Sequence, residues 1–94
     1  MEIPNFLQSA YVMLTRTFPD RVSEGYYWAI LYLLYDYLAD ENLAIVMSAF
    51  SGKSSAEVAN DVLGVCQMTF DSKLLEEVKN KLDANGFEEW KKEE

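Results

Sequence analysis

Two pairs of carboxylates in this chain have a spacing that could support chemistry. Glu57 and Asp61 are four residues apart, as are Asp36 and Asp40, and this spacing places both members of a pair on one helix face. Such a pair could hold a divalent cation or act as general acid and base. The local sequence places no third oxygen ligand, so we favour a solvated face. We therefore predict no metal, no cofactor and no catalytic site, with a small carboxylate-based enzyme or metal-dependent module as the alternative.

The other groups that could do chemistry lack the partners that they would need. The 94 residues include no histidine, which excludes serine–histidine and cysteine–histidine catalysis. The single cysteine, Cys66, lies in an apolar segment, and we expect it to be a buried filler of the core. Gly52-Lys53-Ser54 matches the end of a phosphate-binding loop, but Met47 stands where that loop requires glycine. We therefore expect that the protein is not an enzyme.

Charge is distributed unevenly along the chain. There are 16 acidic and 8 basic residues, which gives a net charge of −8. Between Val22 and Ser72 the only base is Lys53. The seven acids in the same span are Glu24, Asp36, Asp40, Glu41, Glu57, Asp61 and Asp71. A surface this negative repels nucleic acid and anionic membranes and attracts a basic protein partner.

Asp36 is the acid for which the sequence suggests no structural task. We expect it in the last turn of the second helix, where its charge opposes the helix dipole. Tyrosine beside carboxylate is typical of protein-binding surfaces, because the ring adds contact area and the acid meets a lysine or arginine. We predict a partner-binding patch made of Asp36, Asp40, Glu41, Tyr35 and Tyr32. The alternatives are core tyrosines with surface hydroxyls, and a homodimer paired through this tyrosine face.

The elements that carry these residues are predicted to be helices. Apolar residues recur with helical periodicity throughout, and no segment alternates with period two. We expect an all-α fold, a compact single-domain bundle of about five short helices over residues 1–87. A tight break near Ala39-Asp40 separates the second and third helices, with one long bent helix as the alternative. The charged residues 88–94 are expected to form a frayed C-terminal tail.

Capping residues mark the expected helix ends. Asp40 and Asp71 can accept the free backbone N–H groups at the starts of the third and fifth helices. Ser54 and Glu57 have the S-x-x-E spacing of a capping box at the start of the fourth. Gly86 is typical of a left-handed C-terminal cap on the fifth.

The sequence gives no sign of export or membrane insertion. The N-terminal residues Met1-Glu2-Ile3-Pro4 lack the basic region of a signal peptide. The longest apolar run, 26–35, has ten residues, whereas a membrane-spanning helix needs about 20. One cysteine allows no internal disulfide. We therefore expect a soluble, cytoplasmic protein.

Several apolar and turn residues resemble the pattern of a known family. They are Phe18-Pro19, Val22, Tyr27, Leu33-Leu34, Leu38-Ala39-Asp40-Glu41, Val78, Leu82 and Gly86-Phe87. The pattern is similar to that of small all-helical domains of unknown function, widespread in mycobacteria and other actinobacteria, and it covers most of the chain. The resemblance implies a helical bundle and no particular chemistry. The chain departs from the family at Thr17, where glycine is frequent, and at Tyr35-Asp36-Tyr37, where basic residues are frequent.

Taken together, these features favour a non-catalytic protein-binding module with an acidic docking surface. The most concrete expectation is an inhibitor of the immunity or antitoxin type, which masks the positive groove of a bacterial toxin such as a nuclease. The competing classes are the carboxylate-based enzyme or metal-dependent module and a constitutive homo-oligomer.

Overall fold

Six α-helices with short connections make up the part of the chain that the structure describes. The computed structural model describes residues 3–20 and 22–93. After a 3-10 turn at Asn5–Leu7, the helices are α1 (Gln8–Thr17), α2 (Glu24–Leu34), α3 (Asp40–Ser51), α4 (Ser55–Val65), α5 (Ser72–Asp83) and α6 (Phe87–Glu93). These residues contain no strand, and none of their helices has the length and apolar content needed to cross a bilayer. The prediction of an all-α bundle is confirmed, with one helix more than the five expected.

Side chains cap the starts of α4 and α5 as the sequence predicts. Ser54 Oγ accepts a hydrogen bond from the Glu57 backbone nitrogen at 3.1 Å, and Asp71 Oδ1 accepts one in the first turn of α5 at 3.0 Å. Each such cap contributes about 1 kcal/mol. At the start of α3 the prediction is wrong, because the N-cap is Ala39, which has no side-chain acceptor. Asp40 is instead the first helical residue, and its carboxylate stays exposed.

α2 is the central helix, as its nearly continuous apolar sequence predicts. It packs against α3, α4 and α5. Ile30, Leu31 and Leu34 on this helix are fully buried, and burial of each such side chain contributes about 1.5–3 kcal/mol. The position of α2 therefore follows from an apolar surface too wide to be covered by a single neighbour.

The chain breaks between α2 and α3 rather than continuing as one bent helix. The Leu34 carbonyl oxygen accepts hydrogen bonds from the backbone nitrogens of both Tyr37 and Leu38, at 3.0 and 3.2 Å. This tight turn brings Leu38 into the core, where it is 6% exposed. Ala39 is extended, and α3 starts at the next residue. The predicted break near Ala39-Asp40 is confirmed.

The C-terminal residues form a packed helix where the sequence favours a frayed tail. α6 packs against α1 and α5. Trp90 is 4% exposed, and its ring stacks on that of Phe87 with a centroid distance of 5.9 Å. Two large rings three residues apart lie on one helix face, and their burial outweighs the charged character of the segment. Of the predicted tail, Glu94 lies outside the described residues.

Short connections make α2, α3 and α4 antiparallel neighbours, so this part of the bundle has two ends. The C-termini of α2 and α4 and the first turn of α3 lie at one end, which we call the acidic end. The first turns of α2 and α4 and the C-terminus of α3 lie at the other, which we call the cleft end. The 11 residues of α2 separate the two ends by about 16 Å.

Candidate functional site

Asp36 lies in the turn after α2, beyond the helix in which the sequence analysis placed it. α2 ends at Leu34, and residues 35–38 form the turn. The helix does not continue through Asp36, because the chain turns after Leu34 and buries Leu38 in the core. The Asp36 side chain is exposed. It still lies close to the negative end of the α2 dipole, so its charge adds to that of the helix C-terminus.

Asp40 and Glu41 occupy the first turn of α3 at the same end of the bundle. Both side chains are exposed. Their charges are favourable there, because the N-terminus of a helix carries a partial positive charge. Within residues 3–20 and 22–93, no ion pair involves Asp36, Asp40 or Glu41. These three carboxylates therefore present their charge to solvent.

Tyr35 and Tyr32 border the acids on the side facing the α4–α5 connection. Tyr35 is half-buried, and the pKa of its hydroxyl is raised by the neighbouring Cys66 sulfur and then by the charges of Asp40 and Asp36. Tyr32 is 39% exposed, and its ring centroid is 4.8 Å from that of Phe70. The structure thus gathers Tyr35, Asp36 and Asp40 closely, with Tyr32 beside Phe70.

Apolar side chains outside the predicted patch are exposed on both sides of Cys66 in the chain, and Cys66 itself contacts Tyr35. Leu63 on α4 is 69% exposed and Met68 in the α4–α5 connection is 40% exposed. The expectation of a buried Cys66 is wrong, since its side chain is exposed at the C-terminus of α4. For Leu63 the helical phase contains the signal, because Leu63 lies off the buried stripe of Val58, Val62 and Val65. Cys66 follows Val62 by four residues, so phase alone does not predict its exposure.

These observations define one surface, which we call the acidic–apolar patch. Its acids are the predicted Asp36, Asp40 and Glu41, and its aromatic and apolar members are Tyr32, Tyr35, Leu63, Cys66 and Met68. The C-termini of α2 and α4 point toward it, and each contributes a partial negative charge of about half an electron. The patch therefore combines apolar contact area with a negative border.

At the cleft end, two of the remaining acids lie beside Lys53. Its ammonium nitrogen lies 3.4 Å from Glu24 Oε1 and 3.6 Å from Asp61 Oδ2. The same nitrogen lies 3.9 Å from the centre of the Tyr27 ring. The Tyr27 hydroxyl donates a hydrogen bond to Asp61 Oδ2 at 2.8 Å. Lys53 is the one base of the central segment, residues 22–72, and it pairs with two of the seven acids there. Neither of these two acids, Glu24 and Asp61, belongs to the acidic–apolar patch.

Burial and hydrogen bonding define the character of this network. Tyr27 is 2% exposed, and its pKa is raised first by burial and then by the hydrogen bond to Asp61. Glu57 is exposed while Asp61 is half-buried, so the two members of that predicted pair have different surroundings. Asp61 holds Tyr27 and Lys53 in place, which is a structural task.

No metal-binding arrangement is found in the described part of the chain. There, no three histidine, cysteine, aspartate or glutamate side chains come together in a group that could hold a metal ion. No family model, curated protein or solved structure matches this chain. The resemblance to the actinobacterial helical domains stays a prediction.

Proposed function

We propose that this chain is a non-catalytic binding module whose acidic–apolar patch docks on a basic surface of another protein. The observation that carries the proposal is that Tyr35 interacts with the exposed Cys66 sulfur on one side and with the charges of Asp40 and Asp36 on the other. Leu63 and Met68, which flank Cys66 in the chain, are exposed as well. Protein interfaces have an apolar centre that excludes water and a polar border that selects the partner. The patch has both parts on one end of the bundle.

Electrostatics favours a cationic partner over a second copy of this chain. The whole chain carries a net charge of −8, and in the patch three carboxylates and the negative ends of α2 and α4 outweigh the partial positive charge of the α3 N-terminus. Pairing two such patches would bring like charges together, which costs free energy. A surface rich in lysine and arginine would be attracted instead, and it would associate faster at low ionic strength.

The most specific form of the proposal is an inhibitor of the immunity or antitoxin type. A nuclease toxin presents a positive groove that holds the phosphates of its substrate. A compact acidic body can cover such a groove, because its carboxylates take the place of the phosphates. The small size and strong acidity of this chain suit that role, and the apolar residues of the patch would supply contact area beside the charges.

A charge-reversal variant tests the docking surface. We expect the double variant Asp36→Lys/Glu41→Lys to associate with the partner at least about tenfold more slowly at low ionic strength, because it replaces attraction by repulsion. The partner is first captured from the native host on immobilised wild-type protein and eluted with salt. Association rates of the purified partner are then measured with both proteins over a range of ionic strength.

The matched control is Glu76→Lys/Glu89→Lys, which changes the net charge equally. Both residues are exposed, on α5 and α6, and lie outside the patch. We expect this control to slow association by no more than about threefold, through the change in overall charge alone. Equal rates for wild type and Asp36→Lys/Glu41→Lys, or equal losses for both double variants, would remove the patch as the docking surface. For the inhibitor form, the captured partner must also be an enzyme that the wild-type protein inhibits.

Two further measurements test the competing classes. A carboxylate-based metal site would raise the melting temperature when calcium or magnesium is added at millimolar concentration. A homo-oligomer built through the tyrosine face would sediment as more than a monomer at high micromolar concentration. We expect neither effect, and either one would count against the proposal.

A further inference from the structure

A cleft of about 560 Å³ opens at the cleft end of the bundle. It lies between the α1–α2 connection and the α3–α4 connection, and the first turns of α2 and α4 also line it. Three aromatic residues line it: Phe50 is half-buried, while Phe18 and Tyr27 are 8% and 2% exposed. The volume is within the range of about 300–1,000 Å³ that is typical of small-ligand sites.

The charges that line the cleft are mainly negative. Among the described residues 3–20 and 22–93, the lining includes three carboxylates, from Asp20, Glu24 and Glu57, and one ammonium group, from Lys53, which gives these side chains a net charge of −2. Phosphate or another anion would meet three like charges here. An uncharged apolar ligand would displace water from the carboxylates without giving them a hydrogen-bond or ionic partner, and this desolvation costs free energy. The lining is therefore suited to a cation.

The chain's own Lys53 already places one alkylammonium group in this environment. Its contacts show which side chains stabilise such a cation here. The Lys53 nitrogen lies over the Tyr27 ring at 3.9 Å and beside the Glu24 and Asp61 carboxylates at 3.4 and 3.6 Å. Aromatic face plus carboxylate is the combination that binds organic cations in proteins. The Lys53 side chain is 21% exposed, so its charge is largely satisfied inside the chain.

Lys53 leaves part of the negative lining unused. Glu24 and Asp61 are its two partners. Asp20 and Glu57 take part in no ion pair among residues 3–20 and 22–93. Both are exposed at the rim of the cleft, with Phe18 and Phe50 in the same lining.

We infer that this cleft binds a second cation on an aliphatic stem, such as the guanidinium group of arginine or the ammonium group of an alkylamine. The charge pairs with Asp20 and Glu57 at the rim, and the stem lies against the half-buried Phe50 ring. The site uses no residue of the acidic–apolar patch and lies about 16 Å away along α2. A test of the cleft is therefore independent of a test of the proposed docking surface.

The test is a titration of isotopically labelled protein followed by backbone amide shifts. The probes are N-acetyl-arginine amide, spermidine, an acetylated Gly-Arg-Gly peptide and the same peptide with citrulline in place of arginine. We expect saturable shifts confined to residues 15–27 and 50–57. Citrulline keeps the shape of arginine without its charge, so we expect at least tenfold weaker binding of that peptide.

Two variants separate the cleft from general acidity. Asp20→Asn/Glu57→Gln should weaken binding at least fivefold, whereas Asp36→Asn/Glu41→Gln, which removes the same charge at the acidic end, should leave it within twofold of wild type. Binding of the arginine peptide as tightly as the amide would identify the ligand as a side chain of a partner protein, and saturation by spermidine or the amide alone would identify a free amine. Absence of saturation up to about 20 mM of every cationic probe, equal binding of citrulline, or equal losses in both variants would overturn the inference.

Discussion

Replacing Asp61 by alanine tests whether the network at Lys53 joins the helices at the cleft end. The Asp61 carboxylate accepts the Tyr27 hydrogen bond at 2.8 Å and lies 3.6 Å from the Lys53 ammonium nitrogen. A hydrogen bond to a charged group contributes about 1.5–3 kcal/mol, and its loss here leaves a buried hydroxyl without an acceptor. The variant should therefore be clearly less stable than the wild type.

The ion pair adds less than its short distance implies. With an effective dielectric constant of about 20, the attraction over 3.6 Å is about 4.6 kcal/mol. Desolvation of two side chains that are only 21% and 15% exposed offsets most of it, and we take about 1 kcal/mol as the remainder. Alanine improves the helix propensity of α4 by about 0.6 kcal/mol. The expected net loss in the free energy of unfolding is about 2–3 kcal/mol.

Urea and thermal unfolding measure this loss. For a chain of this size, with a slope of about 1 kcal/mol per molar urea, the midpoint should fall by about 2–3 M. The melting temperature should fall by about 10–20 °C. A double-mutant cycle with Tyr27→Phe should give a coupling free energy of about 1 kcal/mol or more, because the two side chains share the hydrogen bond.

The control is Asn60→Ala on the same helix. Asn60 is exposed, and its replacement brings a similar gain in helix propensity without touching Lys53 or Tyr27. We expect its stability to lie within about 0.5 kcal/mol of the wild type or slightly above it. If Asp61→Ala is as stable as Asn60→Ala, or if the cycle gives no coupling, the network does not join the helices.

Two further predictions concern the pH dependence of stability and the glycines. Because the pKa of Tyr27 is raised above its ordinary value of 10.0, the unfolded state loses this proton first as the pH rises, and stability falls above about pH 10 by at most about 1.4 kcal/mol per pH unit. Tyr27→Phe should lack this component in urea unfolding between about pH 9 and 11, and an unchanged slope would contradict the assignment. Gly64→Ala, in α4 with open space around the added carbon, should stabilise the protein by about 0.5–1 kcal/mol. Gly52→Ala should destabilise it by about 1–2 kcal/mol, since Gly52 has a φ of 83°. The same sign for both changes in thermal unfolding would refute this comparison.

Features that depend on neighbouring residues in the sequence could be predicted, and the structure shows why. Ser54 and Asp71 cap helices through hydrogen bonds to nitrogens two or three residues away, so their spacing alone contains the information. The break before α3 is a phase change in an apolar stripe, which is also local. The burial of α2 follows from its own composition.

Features that depend on distant parts of the chain could not be predicted in the same way. Cys66 follows the buried Val62 by four residues, and whether another helix covers it is decided by how α4 packs rather than by its sequence neighbours. The charged residues that flank Trp90 predict a tail, yet Phe87 and Tyr37 provide a place to bury its ring. In the candidate site, the sequence predicts the acids and the two tyrosines of the patch but not Leu63, Cys66 or Met68.

Lys53 shows the same limit at the cleft end. The sequence identifies it as the only base of the central segment. Its position over Tyr27 requires the turn after α3 to bring residues 26 positions apart into contact. The cation–π contact is therefore a property of the tertiary structure, as is the cleft beside it.

The exposed sulfur of Cys66 gives the native protein a chemical handle of its own. Because the chain has one cysteine and it is open to solvent at the acidic end, alkylation attaches a single group there without any substitution. A bulky maleimide would obstruct that end sterically, while a small methylating reagent would leave it open. Since the cleft end is about 16 Å distant along α2, the two reagents used in turn separate the contributions of the two surfaces in wild-type protein.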